Sequence, residues 1–457
     1  MFSRILIANR GEIALRIIRA ARELGIETVA IYSEADRNAP YLKYADYTVC
    51  IGPAPSEESY LNIPRIISAA EVTDVEAIHP GCGFLAENAH FAEVCKSSNI
   101  TFIGPEPETI RLLGDKTSAL KLARDNKVAT IPGSEGPVET DEEALKVARK
   151  IGYPVLVKAV AGGGGRGIRM AHNDISLANA LFLARREAQA AFRDPGIYIE
   201  KFLDRARHIE VQILGDHHGN IIHLGLRDCS PQRRYQKLIE EAPPPGISDK
   251  LAEAICKAAV RLAEAAEYTN AGTFEFLLDR QNRFYFTEAN TRLQVEHPVT
   301  EMITGIDIVQ LQLAIASGER LRISQKEVVF DGCAIECRIN AEDPDDGFKP
   351  SPGKVTRFDV PGGPRVRLDT HVQAGYEVSP YYDALIAKLI CHGRRRRDAI
   401  ACMRRALDEF NIEGIKTTIP LFRTIFRHES FLRGGVHTRW LESQLMGREE
   451  PTPVGEP

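Results

Sequence analysis

Residues 284–296 read Phe-Tyr-Phe-Thr-Glu-Ala-Asn-Thr-Arg-Leu-Gln-Val-Glu, and their alternation constrains this chain more than any other segment does. Along an extended strand successive side chains point to opposite faces, so Glu288, Asn290, Arg292, Gln294 and Glu296 would share one face. Upstream, Thr273-Phe-Glu-Phe276 is separated from this strand by a polar turn, Asp279-Arg-Gln-Asn-Arg283. A hairpin symmetric about the Gln281–Asn282 bond sets Glu275 directly opposite Glu288. Two carboxylates paired across a sheet at roughly 5 Å repel, and a divalent cation between them reverses the sign. Asn290 adds a neutral oxygen one step along, and hard oxygen ligands completed by phosphate are what Mg²⁺ prefers. Glu275, Glu288 and Asn290 are therefore the candidate metal ligands. The Arg292 fork matches a planar carboxylate or bicarbonate, and Glu296 is placed to accept a proton as a general base. The competing reading is a solvated strand face with an Arg292–Glu296 surface pair worth well under ~1 kcal/mol. The aromatic residues flanking the acids count against it.

A second feature is the glycine run Gly162-Gly-Gly-Gly165-Arg-Gly167. It satisfies G-x-G-x-x-G formally, but the dinucleotide fingerprint opens a helix. Here alternation on both sides (Val155, Val157, Ala159; Ile168, Met170) predicts a hairpin, and no Gly-Lys-Ser/Thr follows to make a P-loop. The physical reading is a lid whose glycines let backbone N–H groups close over phosphate oxygens. Lys158 would supply a point charge to those phosphates, and Lys116 in Gly114-Asp-Lys-Thr117 is a second candidate. A mobile loop with two solvated lysines is the alternative.

The remaining chain supplies the frame. Strand signals at 4–8, about 27–32, 76–79 and 101–103 alternate with helical patterns, the first of which spaces Ile13, Ile17, Ala21 and Leu24 on one face. Such alternation marks βαβ units and a parallel sheet. A helix over 115–126 leads to the breaker cluster Ile131-Pro-Gly-Ser134. Helix 141–151, strand 154–160, strand 168–171, helix 174–192 and strand 197–202 make a small module around the glycine loop. From about 204 onward strands and helices mix, and 447–457 is apolar-poor and expected to fray. The run Arg394-Arg-Arg-Arg397 reads as a solvated start to a helix over 398–410.

At 457 residues the chain exceeds one compact core, so about two to four domains are expected. Its 44% hydrophobic and 26% charged content is that of an ordinary globular protein, and a net charge of −5 provides no field to recruit nucleic acid or anionic membrane. No apolar run approaches the roughly 20 residues that span a bilayer. Met1 enters a strand with no leader pattern, and the nine scattered cysteines include no C-x-x-C pair. Reduced thiols and a cytoplasmic location are expected.

Taken together, these residues carry a family resemblance. The chain resembles the biotin carboxylases of the ATP-grasp superfamily up to about residue 445. The resemblance lies in Ala8-Asn-Arg-Gly-Glu-Ile13, His79-Pro-Gly81, Gly162–Gly167, Arg227-Asp-Cys-Ser230, Gln232-Arg-Arg234, Gln236-Lys237, Glu288 through Pro298, and Glu336-Cys-Arg-Ile-Asn-Ala-Glu-Asp-Pro344. It implies a multidomain α/β and α+β fold. An N-terminal parallel-sheet βαβ domain would span 1–114, linker helices and the ATP-grasp lid 115–203, and the ATP-grasp body with a C-terminal α+β domain 204–446, followed by the flexible tail 447–457. Lys116, Lys158, Gly164, Gly165, Glu200, Lys201, Phe202, Leu203, His208 and Gln232 would bind ATP, with Tyr235 where histidine commonly meets the nucleotide. Glu275, Glu288 and Asn290 would hold Mg²⁺ (or Mn²⁺), two ions accompanying the nucleotide. Lys237, Arg292, Val295 and Arg338, with Gln294 beside them, would bind bicarbonate. Glu296 would deprotonate it, and Arg338 would stabilise the biotin enolate.

The implied reaction is MgATP-dependent carboxylation of biotin by bicarbonate through carboxyphosphate, the first half-reaction of a biotin-dependent carboxylase. No Met–Lys dipeptide occurs, so biotin is expected on a separate carrier protein or biotinylated subunit. The other implied partners are one or more carboxyltransferase subunits and, as a homodimer, a second copy of the chain. Cys82, Leu226, Tyr235 and Ala289 stand where the family usually has tyrosine, glutamate, histidine and methionine, and Pro364 where some members have an aromatic. Two other readings keep the fold: another ATP-grasp carboxylate ligase, and a catalytically silent regulatory subunit. Against the first stand Arg292, Gln294, Glu296 and Arg338, and against the second the retained lysines and metal acids.

Overall fold

The computed structural model describes residues 1–160, 168–192 and 195–447. Near the N-terminus β1 (Arg4–Ile7), β2 (Glu27–Tyr32), β3 (Tyr47–Cys50), β4 (Ala77–His79) and β5 (Thr101–Phe102) form a parallel sheet in the order β3-β2-β1-β4-β5. The expected strands are all present, and β3 is an addition. Its residues are mostly exposed at the sheet edge, so no apolar run marks it. Strand order reverses between β1 and β4, and in such sheets the crevice beyond these carboxyl ends is where ligands are received. The segments leaving the two strands are tied together there, with Asn9 Nδ2 donating to the carbonyls of Pro80 (2.7 Å) and Cys82 (2.9 Å). The helix Gly11–Glu23 buries Ile13, Ile17, Ile18 and Ala21 in a core shared with Val309 and Leu313.

The small module is a three-stranded antiparallel sheet, β6 (Val155–Ala159), β7 (Ile168–Ala171) and β8 (Ile197–Lys201), in the order β7-β6-β8. Helices Asp141–Ile151 and Asp174–Phe192 share its core through Ala144, Ala148, Leu177 and Leu181, packed against Val155, Val157 and Ile199. β6 and β7 pair as the hairpin expected, with Lys158 opposite Ile168. Gly164 and Gly165, in the loop between them, lie outside the described residues.

The rest is organised by one antiparallel sheet of eight strands. These are β9 (Arg207–Gly215), β10 (Ile221–Asp228), β13 (Ile239–Ala242), β14 (Asn270–Leu278), β15 (Phe284–Asn290), β16 (Cys333–Asn340), β17 (Val366–Thr370) and β18 (Leu385–Gly393). They run in the order β15-β14-β9-β10-β13-β16-β18-β17. Between β10 and β13 sits a two-strand hairpin, β11 (Gln232–Arg233) and β12 (Gln236–Lys237). Helix Asp249–Ala265 shares an apolar core with β9, β10 and β14, while helix Arg396–Glu409 packs on β16 and β18.

Two local expectations need correction. The strand at 284–296 ends at Asn290, and Glu296 is the residue capping helix His297–Thr304, which carries Pro298 in its first turn. The arginine run enters its helix at Arg396 rather than 398, and it is not wholly solvated. Arg396 forks onto buried Glu241 at 2.6 and 2.8 Å, because a buried carboxylate needs a partner and the run offers the nearest one.

Candidate active site

Four adjacent strands place charged side chains in a single row. Arg227 on β10 is in register with Glu210 on β9, Glu210 with Glu275 on β14, and Glu275 with Glu288 on β15. The Glu275–Glu288 opposition is the one read from the sequence, but it arises differently. Next to the turn Leu278 faces Phe284 and Phe276 faces Phe286, which centres the hairpin on Gln281. A bulge at Thr287 then shifts the register by one and brings Glu288 opposite Glu275. The Thr287 hydroxyl donates to the Glu275 carbonyl at 3.1 Å.

Wholly buried Arg227 donates to Glu210, Gln212 (2.8 Å), Thr300 (2.9 Å) and Thr273 (3.1 Å). Removing a guanidinium from such a set strands its acceptors without water, so Arg227→Met is expected to cost about 3–5 kcal/mol. A urea midpoint equal to that of the parent chain would contradict this.

Glu275 is the hub. Its carboxylate meets Lys237 Nζ (2.9 Å), His208 Nε2 (2.8 Å), Asn290 Nδ2 (2.8 Å) and Gln294 Nε2 (3.1 Å). Burial alone would raise its pKa, but the Lys237 ammonium and His208 reverse this and hold it well below the usual carboxylate range. Lys237 also reaches Glu210 and Glu296, each at 2.7 Å. Against its own burial, these three acids keep the ammonium protonated far above the ordinary range. The tight β11–β12 turn that presents Lys237 has Arg234 at φ 47° and Tyr235 at φ 66°. Non-glycine residues in the left-handed region cost energy and cluster at working sites. The same hairpin sets Gln232 Nε2 against His208 Nδ1 at 2.8 Å.

Glu288 behaves differently. Its backbone opposes Glu275, but its carboxylate is 44% exposed and its one ion pair among the described residues is a long 3.4 Å contact with Lys116. A divalent cation fits the donor set: one buried carboxylate ringed by positive and N–H groups, one carboxylate open to the cleft, and Asn290, whose Oδ1 accepts from Arg292 at 3.3 Å. Among the described residues His208, Glu210 and Glu275 converge within 4.8 Å, and Glu288 stands outside that group.

Beyond Asn290 the expected ladder is no longer a strand, yet its side chains still gather. Arg292 donates to Gln294 Oε1 at 2.8 Å and is pinned by Glu87 at 2.8 Å. Glu87 also accepts from the Thr291 N–H. Glu296 is wholly buried between Lys237 (2.7 Å) and Arg338 Nη2 (2.8 Å). Burial pushes its pKa up, but Lys237, Arg338 and Arg227 outweigh this and hold it well below normal, so it is ionised at neutral pH. The Val295 carbonyl accepts from Lys388 Nζ at 3.0 Å.

Two clefts meet on this hub. One is lined by Lys116, Lys158, Glu200, Lys201, Phe202 and Leu203 together with apolar Ile131 and Leu156. Within it Lys158 pairs with Glu200 at 2.7 Å, and Lys201 Nζ is tied to the Gly152 and Tyr153 carbonyls. The other, of about 640 Å³, is lined by Cys82, Lys237, Arg292, Gln294, Val295 and Arg338 among others. His208, Tyr235, Glu275 and Glu288 border both. Of the expected residues, all but Gly164 and Gly165 fall on these surfaces or, like Glu296, directly behind them. Cys229 packs against Glu296 at 3.8 Å, and Cys337 belongs to the apolar core. Glu210 and Glu87 were missed. The alternation His208, Glu210, Gln212 was a usable signal for the first, whereas Glu87 lies in a loop with no periodicity.

A three-strand lid facing an antiparallel body, with lysines on one side of a carboxylate hub and arginines on the other, defines an ATP-grasp enzyme. Three families match in succession: "Biotin carboxylase, N-terminal domain" over residues 1–110, "Carbamoyl-phosphate synthase L chain, ATP binding domain" over 115–324, and "Biotin carboxylase C-terminal domain" over 336–443. Biotin carboxylase of Nostoc sp. is 56% identical over 96% of this chain and 99% of its own. One of the pyruvate carboxylase subunits of Methanothermobacter thermautotrophicus is 52% identical over 98% of this chain and 91% of its own. Among solved structures, the Campylobacter jejuni biotin carboxylase–β-γ-ATP complex superposes with a TM-score of 0.95 at 48% identity, covering 97% of this chain and 99% of that one. The biotin carboxylase domain dimer of Hydrogenobacter thermophilus 2-oxoglutarate carboxylase, in complex with MgADP, ADP and bicarbonate, gives 0.94 at 50% identity, over 97% and 98%. The chain belongs to the biotin carboxylase family.

Proposed function

We propose that this chain carboxylates biotin with bicarbonate at the expense of MgATP, and that the residues gathered at the two clefts carry the reaction. The observation that bears most weight is the meeting of the two clefts on Glu275, which Lys237 ties to Glu296 behind them. Lys116, Lys158, Glu200, His208, Gln232, Tyr235 and the run Lys201–Leu203 would receive the nucleotide. Glu275, Glu288 and Asn290 would hold the magnesium, which when bound supplies charge neutralisation at the transferring phosphoryl group.

Arg292 would orient bicarbonate, with Gln294 and the Val295 backbone beside it. Lys237 and Arg292 then offset the charge that grows during attack on the γ-phosphate. Glu296 removes the bicarbonate proton. As it stands, Glu296 is a weak base, because Lys237 and Arg338 both lean on it. A bicarbonate anion sharing those two cations loosens their hold and raises the basicity of Glu296, so the substrate activates its own base. Carboxyphosphate then yields CO₂ and phosphate, the phosphate takes the biotin N1′ proton, and Arg338 steadies the enolate that captures CO₂.

The chemistry implies a biotinylated carrier protein or subunit and a carboxyltransferase as partners, and the dimer of the Hydrogenobacter thermophilus relative supports a second copy of this chain. Nine free cysteines support a reducing, cytoplasmic setting. Among the described residues no single helix is long and apolar enough to cross a membrane. The test uses free biotin with MgATP and bicarbonate. ADP release that needs bicarbonate and rises with biotin is expected. Turnover indifferent to bicarbonate points to a different carboxylate ligase, and none at all to a silent subunit.

A further inference from the structure

Arg338 is forked between two acids. Its Nη2 donates to Glu296 Oε2 at 2.8 Å, and its Nε to Glu240 Oε1 at 2.6 Å. Glu240 is wholly buried on β13, behind the cleft. It stands in register opposite Glu336 on β16, which is also wholly buried. Among the described residues, Glu240 Oε2 and both oxygens of Glu336 have no hydrogen-bond partner. Facing Glu210 and Glu275 are both bonded to Lys237, whereas Glu240 and Glu336 share no such bonded cation among the described residues, and a single proton between them relieves the conflict. Burial raises both. Arg338 limits the rise at Glu240, to about 7, while Glu336 stays well above the carboxylate range in spite of Lys388, so a shared proton favours Glu336.

Such a pair is costly to bury, which makes a role in the site the economical explanation. In the reaction proposed above, Glu296 takes up the bicarbonate proton and loses its negative charge. Its ion pair with Arg338 weakens at that moment, just before Arg338 has to meet the ureido oxygen of biotin. The bond to Glu240 is untouched by this event. We propose that Glu240 is a positioning residue for the biotin step, holding Arg338 in place through Nε while Glu296 is protonated. The inference rests on the assignment of Glu296 and Arg338 given above.

Glu240→Gln keeps an oxygen for Nε, removes the charge and relieves the conflict with Glu336, so it should fold. Glu240→Leu removes charge and acceptor together. The readout is the ratio of biotin-dependent carboxylation to bicarbonate-dependent ATP hydrolysis without biotin, with Arg338→Gln as reference. The ratio is expected to fall at least about tenfold in Glu240→Gln, further in Glu240→Leu, and likewise in Arg338→Gln. Should Glu240→Leu fail to fold, the Gln variant decides alone. A parental ratio in Glu240→Gln alongside a lowered one in Arg338→Gln overturns the proposal and leaves the Arg338 assignment standing. A parental ratio in Arg338→Gln overturns the assignment itself, and the proposal with it.

Discussion

Glu296→Ala lowers bicarbonate-dependent ATP turnover by about 10²–10⁴-fold, the range for a lost general base. Glu296 is wholly buried, and its two cations, Lys237 and Arg338, are the groups expected to bind bicarbonate. Among the described residues no other carboxylate touches both. The cavity left by Ala does not strand these cations, since Lys237 retains Glu210 and Glu275, and Arg338 retains Glu240. Stability should therefore fall far less than activity. Glu296→Gln sharpens the test by keeping shape and hydrogen bonding. Initial rates of ADP release at saturating ATP, titrated with bicarbonate, give the answer. A Gln variant within about threefold of the parent kcat would remove Glu296 from the proton chemistry.

Glu288→Gln is expected to be nearly as severe for turnover and almost silent for folding. A catalytic cation contributes several kcal/mol to the transition state, so losing one of its two acids should cost about a hundredfold or more. The fold has little at stake: the carboxylate is 44% exposed and its ion pair to Lys116 spans 3.4 Å, a class of contact worth about 0–1 kcal/mol. Glu275→Gln should instead lose both activity and stability, because four donors converge on that buried carboxylate. Turnover titrated with Mg²⁺, beside thermal melting of each variant, separates the two acids. Full activity in Glu288→Gln takes it out of the metal site, and a large drop in melting temperature contradicts the account of its exposure.

How much of this was legible beforehand depends on the range of the interaction. Elements with an apolar stripe were readable: helices Asp141–Ile151 and Asp174–Phe192, and β7, fall at their expected bounds. Edge strand β3 was not, because its exposed side chains leave no pattern. Glu275 was correctly set against Glu288, although by two compensating differences. The hairpin is centred on Gln281 rather than on the Gln281–Asn282 bond, and the bulge at Thr287 restores the lost residue. Period-two reasoning grouped Arg292, Gln294 and Glu296 with the metal acids, and they do gather there, but through an irregular segment after Asn290. Glu87 and Glu240 owe their places to contacts with residues 205 and 98 positions away, which no local pattern encodes, whereas Glu210 lay within a readable alternation.

The eight-stranded sheet has a consequence for how such chains can be exchanged between relatives. Among the described residues, the ladder that joins its two halves is the one where Ile239–Ala242 lies against Cys337, Glu336, Ile335 and Ala334. That seam also holds the facing acids Glu240 and Glu336. A chimaera crossing over between residues 324 and 332 takes one rail from each parent, and a one-residue slip would turn charged side chains into the hydrophobic core. Severed there, each fragment would present a bare strand edge to its neighbours in solution. The part that carries Arg338 is thus not a cartridge to be swapped at will, but half of a zip whose teeth must match.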